Sequence, residues 1–150
     1  MIRRLGVAFA VTCCAFSALG HQAPAQRPTA SLYQRLGGYD AIAAVTDEFI
    51  TRMVLDKQLG RFFVGMSKGS KTVLREHIVE FLCDLAGGPC HYIGKDLKPA
   101  HEGLGITESD WRIAVGHLVA SLNRFNVPAQ EKTELVNAIA AFKDDIVEKH

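Results

Sequence analysis

Three features of this chain predict an all-α fold. Apolar residues recur at three- and four-residue spacing over most of residues 31–150, no stretch alternates like a strand for long, and the apolar runs are punctuated by glycine. Residues 31–36 form a short helix stopped by Gly37-Gly38. Asp40 caps a second helix running to about Asp56, with Ile42, Val45, Phe49 and Met53 on one face. Phe62-Phe63 falls in a turn region before the loop from Gly65 to Gly69. A third helix covers about Thr72 to Ala86, with Leu74, Ile78, Phe81, Leu82 and Leu85 on one stripe. It ends at Gly87-Gly88-Pro89, where glycine permits a left-handed cap and proline forbids continuation.

Leu97 to His101 supplies only a turn or so of helix. Thr107-Glu108-Ser109-Asp110 resembles a capping box opening a long helix to about Phe125, along which Ile113, His117, Leu118, Leu122 and Phe125 run. Pro128 suits the first turn of a final helix, with Leu135, Val136, Ile139, Phe142 and Ile146 facing inward.

At 150 residues the chain is a single-domain candidate that buries roughly two-thirds of its unfolded surface. Residues 1–25 do not read as fold. Arg3 and Arg4 precede an uncharged, mostly apolar run from Leu5 to Leu19, and small residues follow. This is the layout of a secretory signal peptide, with cleavage after Ala25 or Gly20, and the run is short for a membrane span. The expectation is an exported, periplasmic protein. An uncleaved membrane anchor is the alternative. Cys13 and Cys14 lack the leucine-led box of a lipoprotein. Residues 26–30 are a linker, and the domain spans residues 31–150.

Loss of residues 1–25 removes two basic residues and no acidic ones, so 17 basic against 16 acidic becomes 15 against 16. With its lysines scattered, the mature domain carries no electrostatic footprint for nucleic acid. Cys83 and Cys90 remain. In an oxidising compartment the pair invites a disulfide; otherwise Cys83 is a small buried residue and Cys90 a loop residue. Cys90-His91 lacks the second pair a structural zinc site needs.

The chemistry points to the histidines. His21 lies in the leading segment or linker and His150 ends the sequence, which leaves His77, His91, His101 and His117. A lone histidine is usually packed or solvated, and His117 near an apolar face and His91 in a loop read that way. His101 differs. Its segment is too short to be stable alone, and Leu97 and Leu104 bracket it as candidate pocket walls. A neutral imidazole on such a segment is the usual protein ligand for haem iron, and an iron–imidazole bond would hold the segment. His77 lies about 60° from Leu74 and about 40° from Phe81 around its helix, on the edge of the apolar stripe. From there it either reaches inward or swings to water.

Residues 31–148 closely resemble the group 1 truncated haemoglobins, small globins with a two-over-two helical sandwich around haem b. The ordered series that carries the resemblance runs from Leu32-Tyr33-Gln34-Arg35-Leu36-Gly37-Gly38 through Phe62-Phe63, Val79-Glu80-Phe81-Leu82, Gly87-Gly88-Pro89 and Tyr92-Ile93-Gly94. It continues with His101-Glu102-Gly103-Leu104-Gly105-Ile106-Thr107, Gly116-His117-Leu118 and Val127-Pro128. The resemblance implies that His101 is the proximal iron ligand and that Phe63 packs against the haem ring. It implies a distal pocket built by Phe49, Ile50, Leu74, His77, Ile78 and Leu82. Leu97, Leu104 and Ile106 belong to the proximal wall, with Tyr92 near a propionate.

Two departures from the family pattern stand out. Many members carry Phe-Tyr where this chain has Phe49-Ile50, and many carry glutamine where it has Ile78. Bound dioxygen has partial superoxide character, and each charge-assisted hydrogen bond to it contributes roughly 1.5–3 kcal/mol. Losing one raises oxygen dissociation on the order of tenfold to a hundredfold. The nitric oxide dioxygenation associated with the tyrosine-containing relatives is therefore open here as a side activity only, without the distal tyrosine and glutamine. No distal arginine or acid supports a peroxidase activity. His77 is the remaining distal polar group, and some family members use a histidine at this place as an internal sixth ligand.

Three functions follow as expectations. The first is a haem protein that reversibly binds or transports a diatomic gas (O2, CO or NO) at iron held by His101. The second is a bis-histidine, b-type redox or electron-transfer protein using His77 and His101, with a partner protein. The third is a helical interaction module without haem, since a fold does not dictate its site.

Overall fold

The computed structural model describes residues 30–149. The segment read as a signal, residues 1–25, and the linker up to residue 29 lie outside them. Among the described residues the secondary structure is helical: α1 (Leu32–Arg35), α2 (Gly38–Leu55), a 3-10 turn (Leu59–Phe63), α3 (Lys68–Leu85), α4 (Leu97–His101), α5 (Glu108–Arg124), α6 (Ala129–Ala140) and α7 (Lys143–Ile146). The one β-bridge is an isolated parallel pairing of Thr107 with Lys149.

Local chemistry sets most of these boundaries. Ser31 and Gln34 exchange side-chain and backbone bonds in a capping box at α1. Thr107 and Asp110 do the same at α5, as the sequence predicts. Three boundaries differ from expectation. The cap of α2 is Gly37, not Asp40; Asp40 sits in the first turn, where its charge favours the positive end of the helix. Helix α3 opens four residues earlier than predicted because the Ser67 hydroxyl accepts from the Ser70 N–H at 3.0 Å. The final helix is two helices, broken at Ala141 and Phe142, and the break sets Phe142 edge-on to Phe81 with ring centres 5.4 Å apart. Apolar spacing continues through the break and so cannot report it. Phe125, read as part of the α5 stripe, caps that helix at 43% exposure.

The end of α3 shows why two glycines occur together. Gly87 has a φ of +75°, its N–H donates to Asp84 O, and the Gly88 N–H donates to Cys83 O, the paired bonds of a Schellman cap. A Cβ on Gly88 would meet Tyr33 Cδ2 at 2.5 Å and Cys83 Sγ at 2.7 Å. Only glycine lets α1 approach this turn. Cys83 and Cys90 form a disulfide with Cα atoms 5.8 Å apart, so the Cys90 sulfur is unavailable as a zinc thiolate.

Helix α2 packs against both α3 and α5, and α5 packs against α6. Their inner faces form a core of Ile42, Ala43, Val45, Val79, Leu82, Cys83, Leu118, Leu122 and Leu135. The fully buried Thr46 and Ser121 donate their hydroxyls to the carbonyls of Ile42 and His117 at 2.9 Å, so neither leaves a buried donor unmade. Arg35 ties α1 to Glu131 and Glu134 of α6, and Arg75 grips Asp47 of α2 with two bonds from α3. Both are surface links of small energetic weight.

Candidate functional site

Beside the core, α2, the 3-10 turn, α3, α4 and α5 line a cavity of about 630 Å³ that opens to solvent, within the range of small-molecule and cofactor sites. Eleven of the residues assigned to the site from the sequence line it: Phe49, Phe63, Leu74, His77, Ile78, Leu82, Tyr92, Leu97, His101, Leu104 and Ile106. The twelfth, Ile50, is not among the lining residues; one helical position is about 100° of rotation, which separates it from Phe49. The sequence reading missed Phe62, Met66 and Pro99, and on α5 it missed Trp111, Ala114 and Val115. Trp111, Ala114 or Val115, and Leu118 recur at helical spacing, a pattern that was available to find them.

Helix α4 presents His101. Pro99 is tolerated in its first turn because the missing N–H has no helical partner there. So short a helix needs tertiary support, and α7 packs against it. The His101 Nδ1 lies 2.7 Å from the Leu97 carbonyl. A carbonyl only accepts, so Nδ1 carries the proton, and in the neutral ring Nε2 holds the lone pair. That tautomer is the one a metal requires when a backbone carbonyl orients the imidazole.

His77 lines the same cavity from α3, and its ring meets the Tyr92 ring edge-on at 6.1 Å. Among the described residues it has no hydrogen-bond partner. Tyr92 also packs on Phe81 at 5.5 Å, and its hydroxyl donates to the Lys95 carbonyl at 2.7 Å. Its single proton is therefore committed within the loop. Burial pushes the Tyr92 hydroxyl pKa up, and Asp96 and Glu80 add to the rise.

A polar network fastens the 3-10 turn that carries Phe62 and Phe63. The Asp56 carboxylate accepts from the N–H groups of Gln58 and Leu59 at 2.8 and 3.0 Å, and its other oxygen lies 2.9 Å from His117 Nε2. The Leu59 bond above all, then His117 and Gln58, hold its pKa below the usual carboxylate value. Asp110, only 1% exposed, accepts from Gln58 Nε2 at 2.7 Å, Arg61 Nη2 at 2.8 Å, and the Thr107 N–H and hydroxyl at 2.9 and 2.7 Å. Burial alone would raise its pKa, but the Gln58 and Thr107 donors and the Arg61 charge outweigh burial and hold it at about 2. Thus α5 anchors the turn by charge, while the turn presents its rings to the cavity. His117 is a hydrogen-bonded structural histidine, and His91 is an exposed loop residue.

An open-mouthed, mostly apolar cavity with one orientated imidazole in its wall and a second histidine nearby suits a largely apolar cofactor with a metal at its centre. Comparison with known proteins agrees. A family model described as bacterial-like globin matches residues 31–148. A group 1 truncated hemoglobin of Mycolicibacterium paratuberculosis is 36% identical over 117 residues, covering 78% of this chain and 84% of the relative. The crystal structure of the truncated hemoglobin of Tetrahymena pyriformis in its Fe(III) form superposes with a TM-score of 0.74 at 26% identity, over 80% of this chain and all of that one. The 2/2 hemoglobin of Synechococcus sp. PCC 7002, in the cyanomet state with covalently attached heme, superposes with a TM-score of 0.72 at 26% identity, over 79% of this chain and 98% of that one. The chain belongs to the bacterial-like globin family, as a group 1 truncated haemoglobin with the two-over-two helical fold, a family whose cofactor is haem b.

Proposed function

We propose that this protein binds a diatomic gas reversibly at haem iron held by Nε2 of His101. The carrying observation is the 2.7 Å bond from His101 Nδ1 to the Leu97 carbonyl, which fixes the neutral tautomer with its lone pair at the other nitrogen. Haem b supplies the iron centre at which the gas binds. The protein excludes water with Phe49, Leu74, Ile78 and Leu82, and flanks the cofactor with Phe62 and Phe63. None of these side chains donates a hydrogen bond, so with His77 swung out to water the pocket suits carbon monoxide or nitric oxide better than dioxygen. Replacing His101 with alanine tests the assignment. Haem retention should fall steeply, and normal retention would sink it.

A second reading has its own observation: His77 and His101 line one cavity from different helices, and His77 has no competing hydrogen bond. In that reading His77 is an internal sixth ligand and the protein exchanges electrons with a partner. A low-spin ferrous spectrum that turns high-spin in His77→Ala favours it, whereas a high-spin spectrum indifferent to the substitution rules it out.

Residues 1–25 are read as the signal for export to the periplasm. The Cys83–Cys90 disulfide supports this, since disulfides persist in oxidising compartments. Sequencing the amino terminus of the secreted protein tests it; an intact leading segment in the cytoplasm would refute it.

A further inference from the structure

The loop after His101 contains two glycines, and the structure gives both a task. Gly103 and Gly105 adopt φ values of +82° and +65°, the left-handed region that a side chain disfavours. In this conformation their N–H groups converge on a single carboxylate. Gly103 N–H donates to Glu148 Oε1, and Gly105 N–H donates to Glu148 Oε2 at 2.7 Å. Converging backbone N–H groups in such a loop form an anion-binding concavity, and here the anion is a side chain from 43 residues further along the chain.

The backbone around Glu148 is docked on the same strip. The N–H groups of Glu148 and Lys149 donate to the Ile106 carbonyl at 2.9 and 3.1 Å, and the Glu108 N–H donates to Lys149 O at 3.2 Å. Val147 beside them is buried at 5% exposure. A Cβ on Gly105 would meet only the flexible end of Lys149, Nζ at 3.3 Å, so the positive φ rather than space calls for glycine there. The chain leaving His101 is therefore tied at Gly103, Gly105 and Ile106 to one short segment, residues 147–149. The His101 carbonyl accepts from the Leu104 N–H at 3.2 Å, a bond within the loop itself, and among the described residues the His101 ring makes one hydrogen bond, to Leu97 in its own helix. Nothing in that bond sets where α4 stands relative to α5.

We propose that Glu148 is a positioning residue for His101. Its carboxylate locks the loop between α4 and α5 and so sets the direction from which the imidazole meets the iron. This rests on the reading of His101 as the iron ligand.

The test uses the full haem-loaded protein and three variants, Glu148→Ala, Glu148→Gln and Glu148→Asp, each in a His77→Ala background that leaves the ferrous iron one protein ligand. Three quantities are read: amide hydrogen exchange at Gly103 and Gly105, the iron–imidazole stretching band, and hemin transfer to an acceptor apoglobin. Glu148→Ala should speed exchange at both glycines, shift or broaden the band, and accelerate hemin transfer about tenfold, as loss of an outer-sphere support does. Glu148→Gln should lie between it and the parent, and Glu148→Asp should restore the band in part. Faster glycine exchange with an unmoved band would overturn the proposal, and so would unchanged exchange. His101→Ala separates the two ideas. Normal hemin retention there removes the ligand assignment, whereas an unmoved band in Glu148→Ala with hemin lost from His101→Ala removes only the role of Glu148. Should Glu148→Ala not fold, the Gln variant carries the same comparison.

Discussion

The two histidine-bearing walls of the cavity are built on opposite plans. His101 stands on a five-residue helix that could not exist alone, yet its ring is hydrogen-bonded to Leu97 and the chain beyond it is pinned to residues 147–149. His77 stands on an 18-residue helix that is capped by Ser67 and backed by α2, yet among the described residues its ring has no hydrogen-bond partner and meets the Tyr92 ring edge-on. The weak element holds its imidazole firmly and the strong element leaves its imidazole loose. Orientation of a ligand comes from what its second nitrogen meets, not from the stability of the helix that carries it. A fixed imidazole suits a permanent bond to iron, and an unfastened one suits a group that binds and releases.

The largest expected effect breaks the fixed side. His101→Ala should raise the rate of hemin loss by more than about a hundredfold, since removal of outer-sphere partners alone costs ten- to a hundredfold. Transfer to an acceptor apoglobin measures it, and an unchanged rate would equate the two walls.

Next comes the disulfide, which holds the turn after α3 from which Tyr92 reaches His77. Replacing Cys83 and Cys90 together by alanine should lower stability by about 2–3 kcal/mol, the chain-entropy value for so short a loop. Denaturant unfolding of the oxidised parent and the double variant reads this directly. A stability within about 0.5 kcal/mol of the parent would show that the turn holds without the bond.

Asp110→Asn should cost about 2 kcal/mol, because it removes a buried charge from the Arg61 side chain and weakens the anchor of the Phe62-Phe63 turn. The pH dependence has a definite sign. The folded pKa of about 2 lies below the ordinary 3.8, so this stabilisation is complete above about pH 4 and is lost as pH falls towards 2. Asp56, also shifted downward, contributes in the same sense. The parent should therefore lose more stability than Asp110→Asn between pH 5 and pH 2.5. Parallel acid losses would exclude Asp110 as a source.

The smallest change in stability, and the sharpest spectroscopic one, belongs to His77→Ala. As a partly exposed residue without a hydrogen bond it should alter stability by less than about 1 kcal/mol. The ferrous absorption spectrum before and after the substitution then decides whether the loose imidazole binds iron.

Much of this molecule is legible in the sequence because helices are written locally. The capping box at Thr107 and Asp110, the stop at Gly87-Gly88 and the turn of helix at residues 97–101 are each encoded within a few residues and lie where their chemistry predicts. The resemblance across residues 31–148 likewise located eleven of the residues that line the cavity. The misplaced boundaries have different causes. The early start of α3 rests on a local serine cap that was there to be read, whereas the break at residues 141–142 accompanies the packing of Phe142 on Phe81, a contact between distant residues.

The sequence by itself determined the helical class, the order of the elements, the glycines at their ends and the identity of the histidines, since spacing, capping and backbone freedom act over a few residues. The tertiary structure alone decided that Asp110 joins Gln58 and Arg61, that Cys83 meets Cys90, and that Glu148 reaches back to Gly103 and Gly105. Most of these contacts join residues dozens of positions apart, and even the short Cys83–Cys90 link depends on how the turn after α3 folds back. Local chemistry supplies the donors and acceptors, but only the packing of α5 on the 3-10 turn and of α7 on α4 brings them within hydrogen-bonding distance.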